Sequence, residues 1–229
     1  VISSSKPRAT GLSVILAWGW KRAVIALAAG MLSTFAMAPF NAWPVLFVTF
    51  PVVVWLIDGA AAGKWRGAPA AAMSGFWFGL GYFVPGLYWI GNAFLVDAPT
   101  FAWLMPFAVL GLPAYLALFT AAGFALARLI WTRDASRGVA LAVALTISEW
   151  LRGHLLSGFP WNAFGYALSE PLALAQAVSL LGIWGLTFLA VAVCASPGAL
   201  AAGRARTPNP TVAASPTGQP WVIKLLPRS

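Results

Sequence analysis

The chain has 229 residues, of which 61% are hydrophobic and 8% are charged, and its mean hydropathy is +0.83. A soluble domain carries about 25% charged residues, so this composition excludes an ordinary soluble protein and indicates an integral membrane protein. The formal charge of +9 does not indicate nucleic-acid binding, because the basic residues are scattered through short loops. One cysteine excludes an intramolecular disulfide, and the sequence holds no Cys/His cluster for a metal.

Apolar runs predict an all-α bundle of about six transmembrane helices over residues 18–202. A basic segment precedes it at 1–17, and a Pro/Thr/Ala-rich tail that we expect to be disordered follows at 203–229. The basic start, first apolar run and Ala36-Met37-Ala38 resemble a signal peptide, but we expect this run to remain as the first span. The predicted spans are 23–38, 45–62, 68–94, 101–130, 139–151 and 171–200.

Proline and glycine residues divide and shape these spans. The segment 39–44, with a proline at each end, predicts a tight turn after the first span. We expect Pro85, Pro106 and Pro113 to kink the third and fourth spans. Gly75-Phe76-Trp77-Phe78-Gly79 is a small-xxx-small pattern, which allows two helices to approach closely.

The distribution of basic residues predicts the orientation of the chain in the membrane. With a cytoplasmic N-terminus and six spans, thirteen of the fourteen Lys and Arg residues face the cytoplasm, and only Arg152 faces outward. Both termini are then cytoplasmic. The turn at Asn41, the loop at Asp97 and the stretch 149–166 lie together on the outer face, where any chemistry is expected.

The stretch that follows the fifth span carries the candidate site. Glu149 lies near the end of an apolar run, where a charge requires a partner, and Arg152 is three residues further on the same helix face. Gly158 and Pro160 then break the helix. The broken helix and the aromatic residues predict an irregular, lipid-facing surface. The alternative is a purely structural anchor at the membrane interface. His154, the only histidine, is assigned no role. The candidate residues are Glu149, Arg152, His154, Phe159, Pro160, Trp161 and Tyr166.

Three motifs occur in order along the chain: Ala38-Pro39-Phe40 with Trp43-Pro44, Gly75-Phe76-Trp77-Phe78-Gly79 with Trp89, and Glu149-Trp150-Leu151-Arg152-Gly153 with Gly158-Phe159-Pro160-Trp161. Over roughly residues 20 to 200 the chain resembles the membrane domain of bacterial apolipoprotein N-acyltransferase. The resemblance implies a multi-pass protein of the bacterial cytoplasmic (inner) membrane. It also implies transfer of an acyl chain from a phospholipid donor to the N-terminal diacylglyceryl-cysteine of a lipoprotein, in lipoprotein maturation, without a cofactor and without nucleic acid.

The family's acyl transfer uses a Glu-Lys-Cys set on a nitrilase-like domain that follows a seventh span. The sequence departs from that pattern after about Gly203, so no catalytic residue is carried over. Cys194 lies in a plain apolar helix and is expected to be a packing thiol. We expect a chain that is inactive alone, whether it is a fragment, a frame-shifted product or a genuine short protein; a Ser157–His154 centre is the minor alternative.

A non-enzymatic membrane scaffold or a small transporter is the alternative function. A transporter is expected to carry charged residues in the middle of its spans or paired broken helices. The acidic residues Asp58, Asp97, Glu149 and Glu170 lie at span ends or in loops, which argues against a transporter.

Overall fold

The computed structural model describes residues 6–60, 64–132, 134–156, 158–170 and 172–204. Within these ranges all regular structure is helical and no strand occurs, which confirms the all-α class. Short 3-10 segments lie at Trp43–Val45, Tyr88–Leu95, Ala102–Leu104 and Phe164–Leu168. The α-helices are α1 (Lys6–Ile15), α2 (Gly19–Thr34), α3 (Leu46–Asp58), α4 (Lys64–Leu87), α5 (Ala98–Phe101), α6 (Met105–Leu129), α7 (Arg137–His154) and α8 (Leu172–Arg204).

Six of these helices pack around one core in a closed order. Going round the bundle the order is α2, α4, α6, α7, α8 and α3, and α3 packs back against α2. The short helix α3 is the most enclosed, with Val53, Val54 and Leu56 fully buried. A largely apolar helix suits such a position, because most of its surface packs against other helices.

Glycines permit the closest helix contacts. A Cβ atom on Gly79 would lie 2.9 Å from the Cα atom of Ala117, and one on Gly75 would lie 2.7 Å from the carbonyl oxygen of Thr120, both on α6. Such distances leave no room for a side chain. The predicted close approach at the small-xxx-small pattern is therefore confirmed, and its partner is α6.

A buried ion pair joins three helices at one end of the bundle, which we call the ion-pair end. Arg137 Nη1, at the start of α7, lies 3.1 and 2.9 Å from the two carboxylate oxygens of Asp58, the last residue of α3. Arg137 Nη2 donates to the carbonyl oxygen of Ala199 on α8, and Trp131 Nε1 donates to Asp58. The sequence pattern predicts Arg137 only as a cytoplasmic loop charge, whereas in the structure its side chain is 1% exposed.

Several helix boundaries differ from the predicted spans. Helix α2 ends at Thr34, and the third span changes to 3-10 geometry at Tyr88–Leu95. The expected kink at Pro106 is wrong: α6 begins at Met105, so Pro106 lies in the first turn, where its missing N–H is not needed. The last span is broken at Gly182, whose φ of 64° is one that glycine adopts readily.

Two helical segments of the described chain, Ala98–Leu129 and Leu172–Ala201, are long and apolar enough to cross a membrane. Trp43–Asp58 is a shorter apolar helix. The division into six spans therefore stays a prediction. The proposed disordered tail falls outside the described residues from position 205 onward, and α1 lies within the segment predicted as a basic start.

Candidate functional site

The segment after α7 forms an irregular loop, residues 158–166, which we call the site loop. It lies at the opposite end of the bundle from the ion-pair end, because α7 runs from Arg137 to His154. Gly158 has a φ of 69°, and a Cβ atom there would meet the carbonyl oxygen of Gly153. Asn162 has a φ of 54°, a conformation that asparagine tolerates better than most residues. Both positions reverse the chain so that the loop folds back over α7.

The predicted ion pair lies directly beneath this loop. Arg152 Nη2 is 3.5 Å from Glu149 Oε1, and the two side chains are 1% and 6% exposed. The Arg152 guanidinium carbon also lies 5.1 Å from the centre of the Phe83 ring on α4. Two buried opposite charges largely neutralise each other, so the pair is compatible with an apolar surrounding.

This ion pair holds the site loop at both ends. Arg152 Nη1 donates to the carbonyl oxygens of Phe159, at 2.6 Å, and Trp161, at 2.7 Å. The backbone N–H of Phe164 donates to Glu149 Oε2 at 3.2 Å. An irregular loop leaves backbone groups without regular partners, and here the charged pair supplies them. Glu149 and Arg152 therefore position the loop and do not face the outside of the bundle.

The middle of the loop is anchored to α4, which is hydrogen-bonded in turn to α2. Tyr82 donates its hydroxyl hydrogen to the carbonyl oxygen of Asn162 at 3.0 Å, and Asn162 Nδ2 donates to the carbonyl oxygen of Gly86 at 3.4 Å. Thr34 donates to the Tyr82 carbonyl oxygen at 3.0 Å. These contacts join three sequence-distant segments at the same end of the bundle.

A cavity of about 660 Å³ opens between these segments. Trp89 and Trp161 form one of its walls, with ring centres 5.1 Å apart and planes inclined by 24°. Its size and aromatic lining are typical of a pocket for a largely apolar ligand. The lining residues are Thr34, Met37, Ala38, Pro39, Phe40, Asn41, Pro85, Gly86, Tyr88, Trp89, Trp161, Asn162, Tyr166, Ser169 and Glu170.

The structure separates the predicted site residues into three groups. Trp161 and Tyr166 line the cavity, while Glu149 and Arg152 lie buried behind it. Phe159 is half-buried against Trp161, with ring centres 6.0 Å apart. Pro160 is exposed, and it does not line the cavity.

His154 lies apart from the cavity. Its ring stacks on Trp150 with ring centres 4.5 Å apart, and its Nδ1 atom is 2.7 Å from the Trp150 carbonyl oxygen. This is a local contact within the last turn of α7. Ser157, the other member of the alternative centre, lies outside the described residues.

Several cavity residues were not predicted as site residues. Tyr88 and Trp89 follow the Pro85-Gly86 pair, and Asn41 lies in the turn between α2 and α3. A cluster of aromatic residues beside a helix break is a usable sequence signal for such a surface. The sequence alone gives no reason to place Tyr88 beside Tyr166, since the two residues belong to different segments.

The side chains that line the cavity are suited to binding a ligand rather than to reacting with it. Within the described residues, its lining contains no cysteine or histidine, and no group of three or more His, Cys, Asp or Glu residues is placed to hold a metal ion. Cys194 is 1% exposed on α8 and packs in the core. The lining instead offers apolar and aromatic surface, including the stacked indole rings of Trp89 and Trp161.

Fold and site together define a helical membrane protein with an aromatic cavity at one end of its bundle. Residues 29–196 match the family model described as "Apolipoprotein N-acyltransferase N-terminal domain". The chain belongs to the apolipoprotein N-acyltransferase family, a family of membrane enzymes.

Curated relatives agree with this assignment. The protein named apolipoprotein N-acyltransferase from Rhodopseudomonas palustris is 75% identical over 194 residues, which are 85% of this chain and 36% of the relative. The protein of that name from Bradyrhizobium diazoefficiens is 69% identical over 206 residues, 90% of this chain and 38% of the relative. That from Brucella suis is 49% identical over 199 residues, 85% and 37% of the two chains. The chain thus spans a little over a third of the length of these relatives.

Proposed function

We propose that this chain forms the membrane part of an apolipoprotein N-acyltransferase and that its cavity receives the acyl region of a lipid substrate. The reaction is transfer of an acyl chain from a phospholipid to the N-terminal diacylglyceryl-cysteine of a lipoprotein, during lipoprotein maturation. The observation that carries the proposal is the 660 Å³ cavity with its stacked Trp89–Trp161 wall. Aromatic side chains suit such a site because they offer a large apolar surface near water.

The proposed setting is the bacterial inner membrane, crossed six times, with both termini in the cytoplasm. Consecutive helices of the six-helix bundle run in opposite directions along the chain, so their termini lie at two opposite ends of the bundle. Arg137 and Arg22 lie toward the ion-pair end, where Arg22 donates to Ser74 and to the Leu56 carbonyl oxygen. Arg152 lies at the cavity end. Positive charges gather on the cytoplasmic side of membrane proteins, which favours a cavity that opens on the outer face.

Single cysteines introduced into a Cys194→Ala chain test this orientation. We expect a membrane-impermeant thiol reagent to label positions 64 and 206 only from the cytoplasmic side and position 97 only from the outer side. Labelling of position 97 from the cytoplasmic side would contradict the proposed topology.

Lipid retention tests the role of the cavity. We expect the purified chain to retain phospholipid, detected by native mass spectrometry, and Trp161→Ala to lose most of it. Trp103→Ala is the matched control, because Trp103 is 66% exposed and does not line the cavity. Equal phospholipid retention by the two variants, with both still folded, would contradict the proposed role of the cavity.

We further propose that the 229-residue chain by itself binds lipid without transferring an acyl group. Acyl transfer requires an activated nucleophile or base and donors for the oxyanion, and the described cavity lining offers neither a thiol nor an imidazole. The assay is incubation with phospholipid and a diacylglyceryl-cysteine peptide. N-acylated peptide that disappears in His154→Ala would overturn this point and favour a centre that uses His154.

The transporter alternative has less support. Asp58 and Glu149 are occupied in ion pairs with Arg137 and Arg152. A substrate pathway requires charged groups that face a passage through the bundle, and these two carboxylates instead hold helices and a loop in place.

A further inference from the structure

The charge of the cavity differs from that of the whole chain. The protein has fourteen Lys and Arg residues against five Asp and Glu residues. Nevertheless, the one formally charged residue that lines the described cavity is Glu170, and none of the described basic side chains lines it. A phosphate or carboxylate ligand is normally met by Arg or Lys, so this lining disfavours an anionic group inside the cavity.

Four tyrosine and tryptophan side chains line the same cavity as Glu170. Tyr88, Trp89, Trp161 and Tyr166 all line it. Trp89 and Trp161 use one face each against the other, whereas Tyr88 and Tyr166 have no ring partner within the described part of the chain and are 67% and 44% exposed. Their faces are therefore available to a ligand.

The position of Glu170 is coupled to that of Tyr166. Ser169 donates to the Tyr166 carbonyl oxygen twice, from its backbone N–H at 3.1 Å and from its hydroxyl at 2.7 Å. Tyr166 belongs to the 3-10 segment that begins at Phe164, which Glu149 holds through a hydrogen bond. The carboxylate and one aromatic ring thus share a short, hydrogen-bonded piece of backbone.

We propose that the cavity binds an ammonium group, primary or quaternary, with Glu170 as counter-ion and Tyr88, Tyr166 and Trp89 as cation–π partners. Aromatic rings attract a cation through the negative potential of their faces, and a carboxylate adds a direct charge interaction. The inference rests on the proposed function, which brings the cavity to a membrane surface. Two ammonium sources exist there: a phospholipid head group and the free N-terminus of a polypeptide.

Water-soluble lipids with identical acyl chains test the inference on the full chain in nonionic detergent. Dihexanoyl-phosphatidylcholine carries an ammonium group and dihexanoyl-phosphatidylglycerol does not. We expect isothermal titration calorimetry to show that the former binds about tenfold more tightly, a difference equivalent to about 1.4 kcal/mol. Glu170→Gln should abolish the preference, and Asp97→Asn, an exposed carboxylate outside the cavity, should not.

Two substitutions of Tyr166 provide a second, independent test of the cation–π contact. Tyr166→Leu should reduce the preference severalfold, whereas Tyr166→Phe, which keeps the ring, should retain it. A diacylglyceryl-cysteine peptide with a free amine and its N-acetylated form distinguish the polypeptide source from the lipid source. If only the lipid pair shows a preference that depends on Glu170, the ammonium group is that of the lipid head group. If only the peptide pair shows it, the ammonium group is the peptide N-terminus.

The possible failures are distinguishable. Equal binding of the two lipids and of the two peptides, unchanged in Glu170→Gln, would overturn the ammonium site but leave the proposed function in place, because both lipids still bind through their acyl chains. Absence of binding by either lipid would overturn the proposed function together with this inference.

Discussion

The buried Glu149–Arg152 pair gives a quantitative test of how the site loop is held. In Arg152→Met the Glu149 carboxylate, 6% exposed, loses its counter-ion, and the carbonyl oxygens of Phe159 and Trp161 lose their donor. Removing one partner of a buried ion pair costs about 3–5 kcal/mol of unfolding free energy. We therefore expect a loss in this range for the single variant.

The double variant Glu149→Gln/Arg152→Met should be less destabilised than Arg152→Met alone. The glutamine removes the unpaired charge and still offers an oxygen to the backbone N–H of Phe164. What remains is the loss of the donor at the carbonyl oxygens of Phe159 and Trp161, which Arg152→Met alone loses as well. Because the two residues are in contact, we expect a coupling energy of about 0.5–3 kcal/mol.

The measurement is unfolding by sodium dodecyl sulfate in mixed micelles, followed by far-ultraviolet circular dichroism. Lys21→Met is the control for loss of a cation, since Lys21 is exposed. Strictly additive losses in the cycle Glu149→Gln, Arg152→Met and the double variant would refute the argument that the two charges stabilise each other.

Three further predictions use the same unfolding measurement. Asp58→Asn should cost about 3 kcal/mol or more, because it leaves the Arg137 guanidinium buried without a counter-ion; a change near zero would contradict the role of that pair. Gly81→Ala should lower the free energy of unfolding by about 1–3 kcal/mol, because its Cβ atom would overlap the Leu27 carbonyl oxygen. Gly111→Ala is its control, since no atom lies within 4 Å of a Cβ atom added there. Equal losses in the two variants would count against tight α2–α4 packing. Tyr82→Phe should cost about 0.5–1.5 kcal/mol and reduce lipid retention, and unchanged retention would show that its bond to the site loop does not shape the cavity.

Local sequence features predicted the helical class and the ion pair of the site. An apolar composition of 61% leaves helices as the simplest way to satisfy the backbone in a membrane. The spacing of Glu149 and Arg152 places them on one helix face, and the structure has them 3.5 Å apart. The order of the three aromatic and proline motifs was enough to indicate the family. These inferences depend on spacing along a single element, which helix geometry fixes.

The tertiary structure alone decided which elements meet. Arg137 and Asp58 are 79 positions apart in sequence and 2.9 Å apart in space, and no local pattern connects them. The cavity unites the turn at Asn41, the break after Pro85 and the loop around Trp161. Helix periodicity determines which residues share a face, but the neighbour of that face depends on the packing of the whole bundle. The sequence therefore determined the helical class and the pair within α7, whereas packing placed the aromatic residues around one cavity and left His154 away from it.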